Sequence, residues 1–290
     1  MRRKSFHYFI KALMFFSKLM PQRLAVGFGA FIGFLGYYLA PSEHRERALD
    51  NLRKCLPEKR KPELRRIARK VFENQGKNFF EVLHYSRLSS VNIAEKVVLT
   101  GRENFNEALS KGRGAFMLAA HFGNWELLGA ALALYGIPIN ATARRVYISE
   151  LDGILNELRE SKGIKVIMRE ESDSARGIFK ALKRNEVVAL IIDQNTRHVP
   201  GVYVDFFGRK AYTPSALAVL ALHTGAPVLP GFIVREGYRH SIEIGSPIEI
   251  MNTGDLDSDV LENTKRFTKV IESYVRKYPE QWVWFHKRWD

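Results

Sequence analysis

The chain is poor in several things. Of its 290 residues only Cys55 is a cysteine, which excludes an internal disulfide and any metal cage of several cysteines and fits a reducing compartment. No H-E-x-x-H pair occurs, so a zinc hydrolase lacks its ligands. The absence of G-x-S-x-G removes the serine-hydrolase elbow. Acidic side chains are scarce: 31 Asp and Glu face 45 Lys and Arg, a net charge of +14. A balance of that sign calls for an anionic partner: membrane lipid, phosphorylated substrate, acidic protein or nucleic acid. Nucleic acid is disfavoured, because no motif for it accompanies the charge and the basic residues cluster beside an apolar segment. Long hydrophobic runs are few too. The longest without a charge, residues 24–40, has 17 residues, the lower limit for crossing a bilayer.

That segment dominates the N-terminal part. Residues 6–20 form an amphipathic stretch carrying Lys11 and Lys18; residues 24–40 follow and Pro41 stops them. No small-x-small cleavage site comes after, so a removed signal peptide is not expected. GFGAFIG has no strand before it and no acidic residue at the distance a dinucleotide fingerprint needs; Gly29-x-x-x-Gly33 reads instead as a close-packing face. Six Lys or Arg lie in residues 1–23, and residues 44–70 carry eleven against four acids. The heavier basic flank orients the rest of the chain to the cytoplasmic side. The expected organisation is a membrane anchor over residues 1–41, as a single span or an in-plane hairpin, and one domain over 42–290. Within it, 42–96 is a basic helical portion, broken near Pro57 and Pro62, that meets anionic lipid, and 97–290 is an α/β core.

From residue 97 the pattern alternates. Strands are expected at 114–120, 138–143, 164–168, 187–192 and 227–234, with a late one at 238–247 that can pair antiparallel. Helices are expected at 102–111, 125–135, 149–161, 174–184, 213–224 and 257–277. This is the signature of a mostly parallel sheet flanked by helices. The most telling stretch is GAFMLAAHFGNWELLG at 114–129. An apolar strand ends at His121, a polar turn follows with Asn124 placed as an N-cap, and Glu126 opens a helix. On one continuous helix His121 and Glu126 would stand about 140° apart. Across a strand–turn–helix corner they can meet, at the strand's carboxyl end, where open α/β sheets place their chemistry. A histidine beside a carboxylate suits general-base work. The loop 193–212, long enough to be functional, starts with Asp193 and Gln194 on the same edge of the sheet.

HFGNWE, Arg144 with Leu151-Asp152, DQN, FFG-x4-TP and the closing PEQWVWFHKRW, in this order, resemble the late acyltransferases of lipid A biosynthesis. RERALDNLRKCLPE resembles the stretch that follows their anchor. The likeness runs from about residue 24 to the C-terminus. It implies a glycerol-3-phosphate acyltransferase-like fold and an H-x4-D/E pair in which His121 deprotonates the acceptor hydroxyl and Glu126 orients it. It further implies that Arg159 faces the reacting carbonyl, with Asn124, Arg144, Arg169, Asp193 and Gln194 as substrate-binding residues. No cofactor or metal is implied. The donor is an acyl thioester, acyl carrier protein by resemblance, and the acceptor a lipid A precursor or other phosphorylated glycolipid at the inner membrane. Acceptor and chain length stay open, with lysophospholipid, mannosylated phosphoinositide and ornithine lipid as alternatives, since Ile148-Ser149 replaces the family's usual Asn-Pro. His286, in the aromatic C-terminal segment, reads as packing.

Overall fold

The computed structural model describes residues 15, 19–145, 149–169 and 173–290. The amphipathic stretch 6–20 therefore lies mostly outside the described residues, as does Ile148. Helix α1, Gln22–Leu39, runs between Pro21 and Pro41; α2, Ser42–Cys55, leaves it at 94°. Helix α3, Lys61–Leu83, begins with Pro62 in its first turn, where the missing N–H costs nothing, and Glu63 Oε2 accepts the Arg60 N–H. No single helix among the described residues is long and apolar enough to cross a membrane; α1 and α2 meet that criterion only as a bent pair.

Gly29 and Gly33 do form a close-packing face, and it is spent inside the molecule. A Cβ on Gly33 would run into the backbone of Phe72, and one on Gly76 into that of Gly29. Helices α1 and α3 thus touch backbone to backbone, with Ala25 fully buried between them. The other side of α1 is apolar and uncovered: Leu24, Phe28, Phe31, Ile32 and Leu39 are all exposed.

The core is a seven-stranded sheet in the order β1-β9-β8-β2-β5-β3-β4. Its strands are β1 (Val97–Thr100), β2 (Ala115–Ala119), β3 (Ile139–Ala143), β4 (Lys165–Met168), β5 (Val187–Ile191), β8 (Val228–Glu236) and β9 (Arg239–Ile244). The strands β8, β2, β5, β3 and β4 run parallel, and β9 is antiparallel to β8, as the sequence pattern indicates. Short α4 (Ile93–Lys96) leads into β1. On one face lie α5 (Arg102–Ser110), α6 (Trp125–Leu134) and α7 (Ser149–Glu160); on the other, α8 (Ser174–Lys183), α9 (Ala216–Thr224) and α10 (Leu256–Lys277). The two faces differ in side-chain size. Phe116, Leu118, Val188 and Leu190 point to the second group, whereas Ala119, Ala141 and Ala189 point to α6 and α7. The small side opens a cavity; the large side is solid.

Two features depart from the sequence pattern. Strand β1, four residues at the sheet edge, is too short to show alternation. The expected loop 193–212 contains a hairpin, β6 (Gly201–Phe206) and β7 (Arg209–Pro214), joined by Phe207-Gly208 with φ of 59° and 72°. Both values suit the type I′ turn that matches strand twist. Phenylalanine disguises it, since this φ is unfavourable without a glycine or asparagine. The fold holds it there: Phe207 is buried against Trp284, and its N–H donates to Glu272 Oε2 at 2.7 Å.

Gly33→Ala should lower stability by about 1–3 kcal/mol despite alanine's better helix propensity, because backbone must move. Gly36→Ala, whose Cβ meets nothing within 4 Å, should be neutral or slightly stabilising. Thermal melts of the two variants in detergent check the contrast; equal melting temperatures would refute the helix contact.

Candidate active site

Strand β2 is the central strand, with β5 and β8 on its two sides. Ala119 pairs with Ile191; two residues further along each strand stand His121 and Asp193. The register therefore brings them together. His121 Nδ1 donates to Asp193 Oδ1 at 2.8 Å, and the His121 backbone N–H donates to Oδ2, also at 2.8 Å. The indole Nε1–H of Trp282 supplies a third bond to Oδ2 at 2.8 Å. Burial would raise the Asp193 carboxyl; the charge of His121 and these hydrogen bonds outweigh it and hold the group at about 2. The anion in turn keeps the imidazole proton on Nδ1 and leaves Nε2 as the basic lone pair.

The carboxylate that orients His121 is thus Asp193, which corrects the expectation for Glu126. Glu126, in the first turn of α6, accepts from Arg159 Nε at 2.9 Å and Nη2 at 2.6 Å. A third guanidinium N–H, on Nη1, goes to Asn156 Oδ1 at 3.0 Å. This bidentate pair fixes the plane of Arg159 beside the cavity. Asp193, only 2% exposed, turns its oxygens to the ring and main chain of His121 and to Trp282. Asn124 is likewise structural: its Oδ1 caps α6 by accepting the Leu127 N–H at 3.1 Å, and its Nδ2 donates to Glu81 Oε2 at 2.7 Å. Arg144 and Arg169 line the cavity together with His121, Glu126, Arg159 and Gln194.

Gln194 joins two imidazoles. Its Nε2 amide donates to His286 Nδ1 at 2.9 Å and approaches His121 Nε2 at 3.4 Å. His286 is therefore part of the site, not packing alone. Burial first, and the nearby His121 second, push its pKa down to about 4, so at neutral pH it is uncharged and accepts the Gln194 proton. Trp125 packs edge-on to the His121 ring at 5.1 Å. Trp282 is fully buried against Asp193.

The turn that carries His121 is tied down from two sides. Gly123 has φ 57°, and a Cβ there would strike the carbonyl of Ile233, so only glycine fits. Its N–H donates to Gln281 O at 2.8 Å, and its carbonyl accepts from Asn78 Nδ2 at 2.7 Å. Behind it, Arg235 of β8 donates to both oxygens of Glu81 on α3, at 2.5 and 2.7 Å, and to Asn78 Oδ1 at 2.6 Å. Burial opposes the Glu81 charge; His240 and Arg235 overcome it and hold the group below its ordinary value. These residues give no sequence signal, because Glu81 and Arg235 are 154 residues apart.

Below His121 the cavity, about 230 Å³, runs over Met117, Ala119, Ala141 and Ala189 towards Gly129 and Ile164. The His121 Nε2 lone pair stands over a slot whose floor is hydrocarbon and whose sides carry Arg144, Arg159 and Arg169. No Ser or Cys among the described residues lines it. The arrangement suits direct transfer of a chain-bearing group to a hydroxyl, the class of acyltransferases. Comparison with known proteins agrees. The model of the bacterial lipid A biosynthesis acyltransferase family matches residues 1–290, and the chain belongs to that family. It is 23% identical over 278 residues to a lipid A biosynthesis acyltransferase of Haemophilus influenzae, covering 96% of this chain and 84% of the relative. It is 26% identical over 249 residues to the lipid A biosynthesis lauroyltransferase of Escherichia coli (82% and 76%). It is also 26% identical over 221 residues to a phosphatidylinositol mannoside acyltransferase of Mycobacterium tuberculosis (75% and 68%).

Glu81→Gln should destabilise the fold by about 3–5 kcal/mol, because Arg235 is left buried without its counter-charge. Glu81→Met combined with Arg235→Met should cost less than Glu81→Met alone; denaturant titration of the three variants measures it. A pH effect also follows. His286 and His240 both have pKa values of about 4 in the folded chain against 6.5 ordinarily. The unfolded chain therefore binds more protons between pH 6.5 and 4, and stability falls as pH drops through that window, by on the order of 3 kcal/mol per histidine. Melting temperatures across this range should show the slope, and His286→Gln should remove about half of it.

Proposed function

We propose that the protein is a membrane-bound O-acyltransferase that moves a fatty acyl chain from an acyl thioester, carried by acyl carrier protein, to a hydroxyl of a lipid A precursor. The observation that carries this reading is His121, with its proton held on Nδ1 by buried Asp193, standing over an alanine-floored apolar cavity. The Nε2 lone pair takes the hydroxyl proton as the oxygen attacks the thioester carbonyl. The C–O bond forms, the C–S bond breaks, and the leaving thiolate recovers the proton from the imidazolium. Arg159, locked by Glu126, donates to the carbonyl oxygen as its charge develops. The acyl chain lies along Met117, Ala119, Ala141 and Ala189. Arg144 and Arg169, beside the same cavity, bind phosphate on the acceptor.

Membrane attachment is supported by the uncovered apolar side of α1 and by the basic residues exposed on α2 and α3, among them Arg53, Lys54, Arg65, Arg66 and Lys70. We place the domain on the cytoplasmic face of the inner membrane, where an acidic carrier protein reaches a positive surface. A second reading keeps the chemistry and changes the acceptor to a mannosylated phosphoinositide or another membrane lipid. It rests on the likeness to the Mycobacterium tuberculosis relative. Mass spectrometry of membrane lipids with and without the gene names acceptor and chain together and decides between the two.

His121→Ala should lower turnover by about 10²–10⁴, and Asp193→Asn by a comparable factor, with membrane association intact. Arg159→Lys keeps the charge and loses the planar fork, so kcat should fall about 10²–10³ with acceptor KM little changed. Steady-state kinetics with varied acceptor checks all three. Unchanged kcat with raised KM in Arg159→Lys would move that residue from the carbonyl to acceptor binding.

A further inference from the structure

A second apolar cavity, about 240 Å³, lies between α3 and α7. Its walls are Phe79, Val82 and Leu83 from one helix and Ile154, Leu155 and Leu158 from the other. Its inner end is closed by Trp125 and Glu126, which also line the cavity under His121. The two cavities therefore share a wall but not the catalytic base. Three of the polar residues that border the second one have their polar atoms already engaged: Asn78 with Gly123 and Arg235, Asn124 with Leu127 and Glu81, and Glu126 with Arg159. What the groove presents to a ligand is hydrocarbon, apart from the amide of Gln75.

We propose that this groove holds a fatty chain already carried by the acceptor lipid. The inference rests on the acyl-transfer reading above and names where the acceptor sits. The chain being transferred is bonded directly to the reacting carbonyl, which must come within bonding reach of the hydroxyl held by His121. That chain therefore belongs in the cavity that contains His121. A chain lying beyond Trp125 and Glu126 must be joined to its reacting atom through several intervening bonds. An acceptor that already bears acyl groups has this layout: its free hydroxyl is separated from its existing chains by the headgroup.

The groove also has an apolar way in. Phe79, at its rim and 38% exposed, packs edge-on against Phe80 at 5.7 Å, and Phe80 against Phe28 of α1 at 5.3 Å. Phe28 stands on the uncovered side of α1 with Phe31 and Ile32. A chain leaving a bilayer that touches this side of α1 enters the groove without crossing a charged surface, and removal of its methylenes from water favours the bound state.

The test narrows the groove from both walls, with Leu155→Trp and Val82→Phe made separately in the full chain. The substrates are an acyl carrier protein thioester series of varied chain length and two acceptors of one phosphorylated glycolipid headgroup. One acceptor keeps its fatty chains; in the other they are cut to four carbons. The expected result is that KM for the long-chain acceptor rises about tenfold in each variant. Donor chain-length preference and use of the short-chain acceptor should stay as in the wild type, and melting temperatures should stay near it. A changed donor preference would assign the groove to the transferred chain and overturn the proposal, as would an unchanged long-chain KM in both folded variants. A readout independent of turnover separates this from the broader reading. In Leu155→Cys, maleimide labelling should slow severalfold with the long-chain acceptor and not with the short-chain one, while buried Cys55 stays unreactive. Absence of transfer by the wild type to any lipid would sink the acyltransferase reading, whereas equal labelling rates with both acceptors would sink the groove.

Discussion

The Asp193 carboxylate is the point on which the rest of the site depends. It is buried, ionised, and bonded to three donors from two parts of the chain: the main chain and ring of His121 and the indole of Trp282. Burying a charge is costly unless it is met by several hydrogen bonds. Here each of those bonds also does positional work. One sets the imidazole tautomer, one fixes the main chain at the end of β2, and one draws the C-terminal segment across the sheet edge. The same segment brings Gln281 to Gly123 and His286 to Gln194.

A second buried charge pair stands behind the first. Glu81 and Arg235 join α3 to β8, and the amides of Asn78 and Asn124 carry that connection to the turn between His121 and Trp125. The His121 ring is therefore held in front by a carboxylate and its turn is held from behind by a network that never touches the ring. Glu126 and Arg159 form a third pair, separate from both, at the side of the cavity. The three carboxylates hold different groups: Asp193 the His121 ring, Glu81 the amide behind the turn, and Glu126 the Arg159 guanidinium.

Much of this was legible in the sequence. The α/β alternation, the antiparallel last strand, the strand–turn–helix corner at His121 and the Asn124 cap all follow from local patterns that local forces create. Asp193 and Gln194 could be placed on the right edge of the sheet but not beside His121. That requires knowing that β5 returns between β2 and β3, and strand order carries no local signature. For the same reason nearness in sequence pairs Glu126 with His121, whereas the register brings Asp193 there instead. Trp282, His286, Glu81 and Arg235 were out of reach because their partners lie far away along the chain. The hairpin after Gln194 was hidden for a different reason: a phenylalanine occupies a turn position where glycine or asparagine usually gives the turn away.

The backbone contact of α1 on α3 has a mechanical consequence. Helix α3 is 23 residues long, about 34 Å at the usual rise. It carries Phe72 and Gly76 against α1, Phe79 at the groove, and Asn78 and Glu81 at the catalytic turn. At Gly29, Gly33 and Gly76 no side chain separates the two backbones, and Phe28 on Phe80 and Tyr37 on Phe72 pack beside that contact, so α1 and α3 are held closely together. One helix, α3, thus links the packed face of α1 to the turn that carries His121, so the two are held in a common frame.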